Sequence, residues 1–442
     1  MSNFSRRAFL SSAGAATVYT LVPSAQTQSR GFGPNDTIRL GHIGVGVQGS
    51  GLLDEFKKMP GVKPTVAADL YDGYLLHAKE ATNNTIETTK DYRAVLDRKD
   101  IDAVVIATPD HLHFRMVLDA LDAGKHVYIE KPLTWSLDEG THIIRAEKST
   151  GKLLQVGSQA KSSALTAKAK QLVKEGALGK VSMIRLSNNR NSPEGAWRYP
   201  IPPDASTKTV DWPRFLGHYP QRPFDPEVFF RWRCWWEYSG GVATDLFVHL
   251  LTHMNEVMDA PSPVSAVSQG GLYRWRDGRT VPDVMNSLFE YEEGFVIDMY
   301  VNLNNSRMGE PPTVMGEKGT MVFERGKLMV YPEPAPREAQ QYGSRAWPKA
   351  MRDEYLRKSG VAVGASGEQF PERALPKEQV VEVSAGPSHY EHFILSLRNG
   401  KPSVEDATAG HYAAAGAHLA NIAFRENCKV SWDRATGAVS RS

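Results

Sequence analysis

Hydrophobic and polar positions divide the chain into two kinds of pattern. From Thr37 to about Gln159, short apolar runs rich in β-branched residues trade places with amphipathic segments of helical period. A first apolar run opens at Thr37 and leads into a helical pattern over 48–59, and 62–68 follows as a strand. Residues 91–98 read as a helix, 101–107 (IDAVVIA) as a near-continuous apolar strand, and 110–124 as an amphipathic helix closed by a glycine. Residues 126–130 and 153–157 are further strands, with a helix over 137–151 between them. Unbroken apolar strands are what a parallel sheet covered on both faces requires. The pattern predicts a doubly wound α/β sheet of Rossmann type, with ligands at the carboxyl ends of its strands.

Beyond 160 the pattern changes. Residues 264–267, 285–291, 295–302, 320–323 and 327–331 read as strands separated by Gly pairs and acidic turns. Helices are expected over 386–400 and over the Ala-rich 407–425, while 333–380, with several Pro and mixed charge, reads as an insertion or lid. Between 188 and 240 no period holds, and five of the nine tryptophans fall there among prolines. An irregular stretch of that length is usually functional.

Composition adds limits. The 442 residues carry a formal net charge of +2, which argues against a general nucleic-acid or membrane-surface role. No long apolar run follows the N-terminus, so no membrane span is expected. Residues 5–10 (SRRAFL) form a twin-arginine pattern, followed by a weakly apolar segment over 8–22 and a candidate cleavage position at Ala25. An exported, periplasmic protein with a signal peptide over 1–30 is expected, then a nucleotide domain over 36–159 and a second α/β domain over 160–432. Cys234 and Cys428 could pair in an oxidising compartment, but two free, buried thiols are the safer expectation.

The chemistry begins at the first strand-to-helix turn. Gly44, Gly46 and Gly49 are spaced G-x-G-x-x-G, and Asp69 lies at the end of the second strand. Gly44 permits the tight turn, Gly46 lets a pyrophosphate approach the backbone, and Gly49 lets helix and strand pack closely. Val47 and Gln48 head the helix whose free N–H groups and positive dipole end face the phosphates. Asp69 can accept from both ribose hydroxyls and would repel a 2′-phosphate, which favours NAD over NADP. A glycine-rich turn in an ordinary α/β domain is the plain alternative.

Two further strand ends carry candidates. Thr108 and Pro109 could line the nucleotide, and His111 and His113 could either join them or merely cap and pack the following helix. Glu130, Lys131 and Pro132 follow the next strand, placing Lys131 at the switch-point crevice, and Gln159 closes the last strand end. Farther on, Asp245 and His249 stand at i and i+4 and so share a helix face.

Strand–GxGxxG–helix, then ATPxxxH, then EKP, then Asp245-x-x-x-His249 after the Gly240-Gly241 pair, resembles the Gfo/Idh/MocA oxidoreductases, named for glucose-fructose oxidoreductase and inositol dehydrogenase. The resemblance implies a Rossmann domain followed by an α/β domain with a large, open, mostly antiparallel sheet. It implies NAD as cofactor, sugars, polyols or related cyclic compounds as substrates, and Lys131, Asp245 and His249 as the catalytic group. It also implies a homodimer or homotetramer associating through the open sheet.

The residues support the same roles. Alcohol oxidation needs a base for the hydroxyl proton, and histidine titrates in a suitable range. Lys131 could polarise the same oxygen, and Asp245 could hold a second hydroxyl or orient His249. His253 continues the row at i+8, where it could line the site, pack beneath it or complete a metal set; no metal is expected, because no H-E-x-x-H context accompanies it. In the irregular stretch, Arg231, Arg233, Trp235 and Tyr238 are candidate substrate contacts, since rings stack on sugar C–H faces and arginines bind hydroxyls or carboxylates. A core or interface cluster is the competing reading. Three functions are therefore in play: an exported dehydrogenase, a glycosidase working by transient oxidation and elimination, and a non-catalytic nucleotide or sugar binder. The resemblance weighs against the second, because the N-acetylgalactosaminidase relatives lack the Asp-x-x-x-His helix pattern.

Overall fold

The computed structural model describes residues 37–307, 309–334, 341–358 and 376–442. The signal expected over 1–30 and much of the insertion expected over 333–380 lie outside the described residues.

Parallel strands that are apolar on both faces need cover on both faces, and the first six strands obtain it. β1 (Ile38–Ile43), β2 (Val62–Ala68), β3 (Glu87–Thr89), β4 (Ala103–Ile106), β5 (His126–Glu130) and β6 (Leu154–Gly157) pair in the order β3-β2-β1-β4-β5-β6. Every pairing among them is parallel. The order reverses between β1 and β4, which opens the crevice where such sheets bind ligands. Along β4, Ala103, Val104, Val105 and Ile106 are all buried, the reason its sequence shows no alternation. β3 and the helix Asp72–Ala81 had no counterpart in the sequence pattern: β3 has only three residues, and the helix has a weakly segregated polar face.

The second sheet holds ten strands. β7 (Val181–Asn189), β8 (Ser265–Gly271), β9 (Val284–Glu290), β10 (Val296–Asn302) and β11 (Thr313–Gly316) form its centre. β12 (Gly319–Glu324), β13 (Lys327–Pro332), β14 (Gln379–Glu382), β15 (Val430–Trp432) and β16 (Val439–Arg441) form its flanks. The order is β14-β13-β12-β11-β7-β10-β9-β8-β15-β16, antiparallel except where β7 meets β10. Here the strands alternate. Met285 and Phe289 of β9 and Ile297, Met299 and Val301 of β10 are buried on one face, while Leu288 and Glu290 are exposed on the other. The helices Val248–Met258 and Ala407–Glu426 cover the buried face. Val267, Leu288 and Tyr331 stay exposed on the open one.

The irregular stretch before the helix of Asp245 is largely a packed aromatic module. Trp212, Phe215, Phe229, Phe230 and Tyr238 form a cluster with Tyr71 of the first half. Tyr71 makes an isolated antiparallel bridge to Val210, and Asp211 N donates to Leu70 O at 2.8 Å. The chain finally returns to the first sheet. Phe393, on the helix His389–Asn399, meets Phe56 and Tyr128 with ring centroids 6.1 and 5.6 Å apart. Both cysteines are free. Cys234 is buried, but Cys428 is only half-buried, which corrects the expectation of two buried thiols: it follows a helix end, where cover runs out.

Candidate active site

One cavity of about 590 Å³ runs from the glycine turn to the helix of His249. At its first end Gly44 has φ +83°, and a Cβ there would lie 2.6 Å from Ala107 O. A Cβ on Gly49 would lie 2.0 Å from Gly44 O, so the helix Val47–Lys57 can start this close to β1 only with glycine there. Gly46, Val47 and Gln48 line the cavity, at the helix end whose first N–H groups lack intrahelical acceptors. Asp69 accepts from Val45 N at 2.8 Å and Tyr71 N at 3.0 Å, which fixes its carboxylate at the cavity wall with lone pairs to spare. Burial pushes its pKa up to about 6, against the pull of those two N–H groups. A turn with no room for a side chain, a helix N-terminus and a fixed acid fit a dinucleotide.

Midway, Gln48 and Gln159 both donate to Glu130 Oε1, at 3.0 and 3.4 Å. The three side chains line the cavity together with Thr108, Pro109 and Tyr390. Tyr390 arrives from the far C-terminal helix, and no local pattern at residues 37–159 could announce it.

At the second end, Lys131 at the exit of β5 reaches across to the other half of the molecule. Its Nζ donates to Asp245 Oδ1 and to Asp245 O, both at 2.9 Å. Arg233 Nε donates to the same Oδ1 at 3.1 Å, and Trp197 Nε1 to Oδ2 at 3.1 Å. Burial alone would raise the Asp245 pKa, but Lys131 and Arg233 hold it well below the carboxylate range. Asp245 thus stays ionised and fixes both cations. His249 lines the cavity beside them, and among the described residues no group hydrogen-bonds its ring. Burial and the Lys131 charge depress its pKa to about 3, so the ring is neutral at physiological pH, with a free lone pair but lowered basicity.

The Asp245–His249 stretch differs from the regular helix expected. Ala243–Phe247 forms a π turn before the α-helix Val248–Met258 begins. Such turns cluster at functional sites. Among the described residues no group of three or more His, Cys, Asp or Glu is arranged to hold a metal.

Several expected contacts are placed elsewhere, for identifiable reasons. His113 puts Nδ1 2.7 Å from Pro132 O and Nε2 2.9 Å from Thr108 O, tying two strand-end loops together behind the cavity. His111 Nε2 lies 2.7 Å from Phe215 O, inside the aromatic cluster. Neither histidine lines the cavity, which corrects their assignment to the nucleotide. Tyr238 is buried against His111 and Phe215, and Trp235 packs between the two cores. Arg231 is spent on Tyr199 O, at 2.7 Å, and on Glu227. His253 stacks edge-on against Phe323, with centroids 4.7 Å apart. These four are likewise outside the cavity wall, and of the substrate candidates only Arg233 lines it. The wall includes residues not singled out from sequence, Asp110, Arg190 and Trp232, with Phe229 and Phe230, and also Tyr199, which the sequence offered only as one possible acid or base for a redox glycosidase. Tyr199 and Trp232 lay in the aromatic stretch, and Asp110 adjoins Thr108-Pro109; Arg190 carried no signal.

A parallel nucleotide-type sheet joined to a large open sheet, with a cavity ending on a Lys–Asp pair and a neutral histidine, defines a class of two-part dinucleotide-binding proteins. The Gfo/Idh/MocA profiles match residues 38–158, as the oxidoreductase family's NAD-binding Rossmann fold, and 170–431, as its C-terminal alpha/beta domain. The chain belongs to that oxidoreductase family. An inositol 2-dehydrogenase of Rhodococcus erythropolis strain PR4 is 34% identical over 191 residues, 41% of this chain and 53% of that protein. A glycosyl hydrolase family 109 protein of Shewanella sp. strain W3-18-1 is 30% identical over 177 residues, 34% of this chain and 39% of that protein. The chain thus spans about half or less of the length of these curated relatives. Among solved structures, a levoglucosan dehydrogenase in complex with NADH and levoglucosan superposes with a TM-score of 0.64 at 17% identity. That match covers 89% of this chain and 99% of the other and shows the shared fold.

Proposed function

We propose that the protein is an NAD-dependent dehydrogenase that oxidises a CH–OH group of a sugar, polyol or related cyclic compound. The observation that carries this reading is the convergence of Lys131, fixed 2.9 Å from ionised Asp245, and an uncommitted neutral His249 on the cavity that begins at the glycine turn. Gly46, Val47, Gln48 and Asp69 would hold the nucleotide, and Asp69 favours NAD over NADP. When bound, NAD supplies the hydride acceptor. His249 takes the hydroxyl proton, and the Lys131 ammonium stabilises the negative charge developing on that oxygen. Asp245 positions Lys131.

The twin-arginine pattern at Arg6-Arg7 supports export of the folded protein. Outside the cytoplasm no free nicotinamide pool is at hand, so the nucleotide is retained and is oxidised and reduced in place. The open, partly apolar sheet face supports a homodimer or homotetramer. A redox glycosidase is the second reading, supported by the glycosyl hydrolase family 109 relatives.

One assay separates them. The chain lacking residues 1–30 is offered sugars, polyols and glycosides with NAD, following nicotinamide absorbance and released products together. Net reduced nicotinamide that disappears in Lys131→Ala or His249→Ala is expected. Glycoside cleavage that requires NAD without net reduction would overturn the dehydrogenase.

A further inference from the structure

The His249 end of the cavity sets three cations against two carboxyls, Asp245 and the largely protonated Asp110, and so holds more positive charge than a neutral sugar needs. Three cations line it: Lys131, Arg233 and Arg190. The first two share a single carboxylate oxygen, Asp245 Oδ1. Arg190 has no part in that arrangement. Its Nε donates to the amide oxygen of Asn188 at 3.2 Å, and among the described residues it makes no ion pair. The nearby acid on its own loop, Glu194, is exposed.

We infer that the substrate carries a carboxylate, as a uronic or aldonic acid does, and that Arg190 and Arg233 receive it beside His249. This rests on the dehydrogenase reading above and adds the substrate's charge to it.

Both arginines have donors to spare. Each uses only Nε on the protein, and among the described residues neither pair of terminal amino groups has an acceptor. A guanidinium presents its N–H groups as a planar fork that matches the two oxygens of a carboxylate. Arg233 is held in orientation by Trp232, its guanidinium carbon 4.2 Å from the ring centroid. Arg190 is held at its base: it follows β7, and its N–H donates to Asn302 O, at the end of β10, at 2.9 Å. Arg190 also stands on the reacting side of the cavity, close enough for its charge to act on His249 and Tyr199. A half-buried guanidinium without a counter-charge is costly, and an anion arriving in the cavity removes that cost. A phosphate would satisfy the same donors. The comparison with D-glucose 6-phosphate separates the two.

The test uses the NAD-loaded chain without residues 1–30 and follows protein fluorescence during titration, since Trp232 sits in the wall. D-glucuronate, D-galacturonate and D-gluconate are compared at low salt with D-glucose, D-galactose and D-glucitol, and D-glucose 6-phosphate is included. At least one acid is expected to bind about tenfold or more tightly than its neutral counterpart. Arg190→Gln is expected to abolish the preference and Arg190→Lys to keep part of it, with melting temperatures compared to confirm folding. If Arg190→Gln fails to fold, the weakened preference in Arg190→Lys carries the test. No acid binding tighter than its neutral partner, the 6-phosphate binding tighter than every acid, or a preference unchanged in the folded variants would each overturn the inference. Nicotinamide absorbance is read on the same samples. An acid bound with preference but giving no reduced nicotinamide counts against the dehydrogenase and leaves the carboxylate site standing.

Discussion

Trp197 donates its indole N–H to Asp245 Oδ2 at 3.1 Å while its own backbone sits at φ +62°. A bulky side chain in the left-handed region is strained, and such strain collects where the surroundings over-determine a residue's position. The ring is 1% exposed, so the surroundings do hold it. Trp197→Phe keeps an aromatic six-membered ring but removes the pyrrole part of the indole with its donor, leaving a small cavity and a buried charged oxygen short of one bond. Urea denaturation should show a loss of about 1–3 kcal/mol. Turnover should fall as Asp245 loses its orientation, with NAD affinity unchanged. An unaltered midpoint and unaltered turnover would refute the role given to this bond.

His249 should matter for rate and not for nucleotide binding, because it stands at the opposite end of the cavity from the glycine turn. His249→Gln is expected to lower kcat by about 100- to 10,000-fold. NAD titrations should match the wild type. With the ring's pKa depressed to about 3 by burial and by Lys131, its protonation should cost no activity between pH 5 and 7. An acid limb near 6.5 that vanishes in the variant would contradict this.

Asp110 is a buried carboxyl at the same end. Burial pushes its pKa up to about 7, against the pull of Arg233 and Lys131 and with the push of Asp245. Thr244 donates to it at 3.3 Å. As pH rises through 7 it ionises and sets a second negative charge beside Asp245, opposing the charge that develops on the substrate oxygen. kcat/KM should step down there, and Asp110→Asn should remove the step. A pH profile identical in the two proteins would exclude Asp110 as its source.

Glu405 links pH to stability. It is fully buried, with Oε1 accepting from Ser158 at 3.1 Å and Oε2 without a partner. Burial raises its pKa to about 8, with Lys161 pulling it down and Asp406 and Glu256 pushing it up. The folded state therefore holds a proton that the unfolded chain releases near 4.5. That contribution is complete below pH 4.5 and is lost as pH climbs to 8. Glu405→Gln mimics the protonated form, so its melting temperature should fall less than the wild type's between pH 5 and 8.5. Parallel curves would show that Glu405 does not titrate in this window.

Val267 and Leu288 face each other across β8 and β9 on the open sheet face, 39% and 48% exposed. Light scattering should find an oligomer in the wild type and a monomer in the double variant Val267→Lys, Leu288→Lys. A wild-type monomer would remove this face as an interface.

The parts of the site legible in sequence are those whose geometry is local. Gly44, Gly46 and Gly49 act within one turn, Asp69 ends the adjacent strand, and Asp245 and His249 share two helical turns. Arg190 and Tyr390 were invisible because only the tertiary fold brings β7 and a helix near residue 390 to the same cavity. His111 and His113 lie beside real cavity residues and still turn away, because their acceptors, Phe215 O and Pro132 O, belong to segments whose approach no spacing reveals. His253 fails for a helical reason: at i+8 a side chain has drifted about 80° from the face of residue i. The unbroken apolar runs disclosed the parallel sheet, and the ten-stranded order of the second sheet, with β7 beside β10, is non-local and left no trace in any window.

The helix His389–Asn399 supplies Phe393 to the core beneath the first sheet and Tyr390 to the cavity, and Arg398 bonds Pro60 O from 338 positions away. Seen in the order of synthesis, the glycine turn leaves the ribosome early and the helix that completes its surroundings leaves almost last. Burial for Phe56 and Tyr128 is incomplete until then, so the nucleotide half is not a finished module awaiting its neighbour during translation. Maturation of the site is an event of the whole chain, and a polypeptide truncated before residue 389 would lose its nucleotide while keeping every group that performs the chemistry.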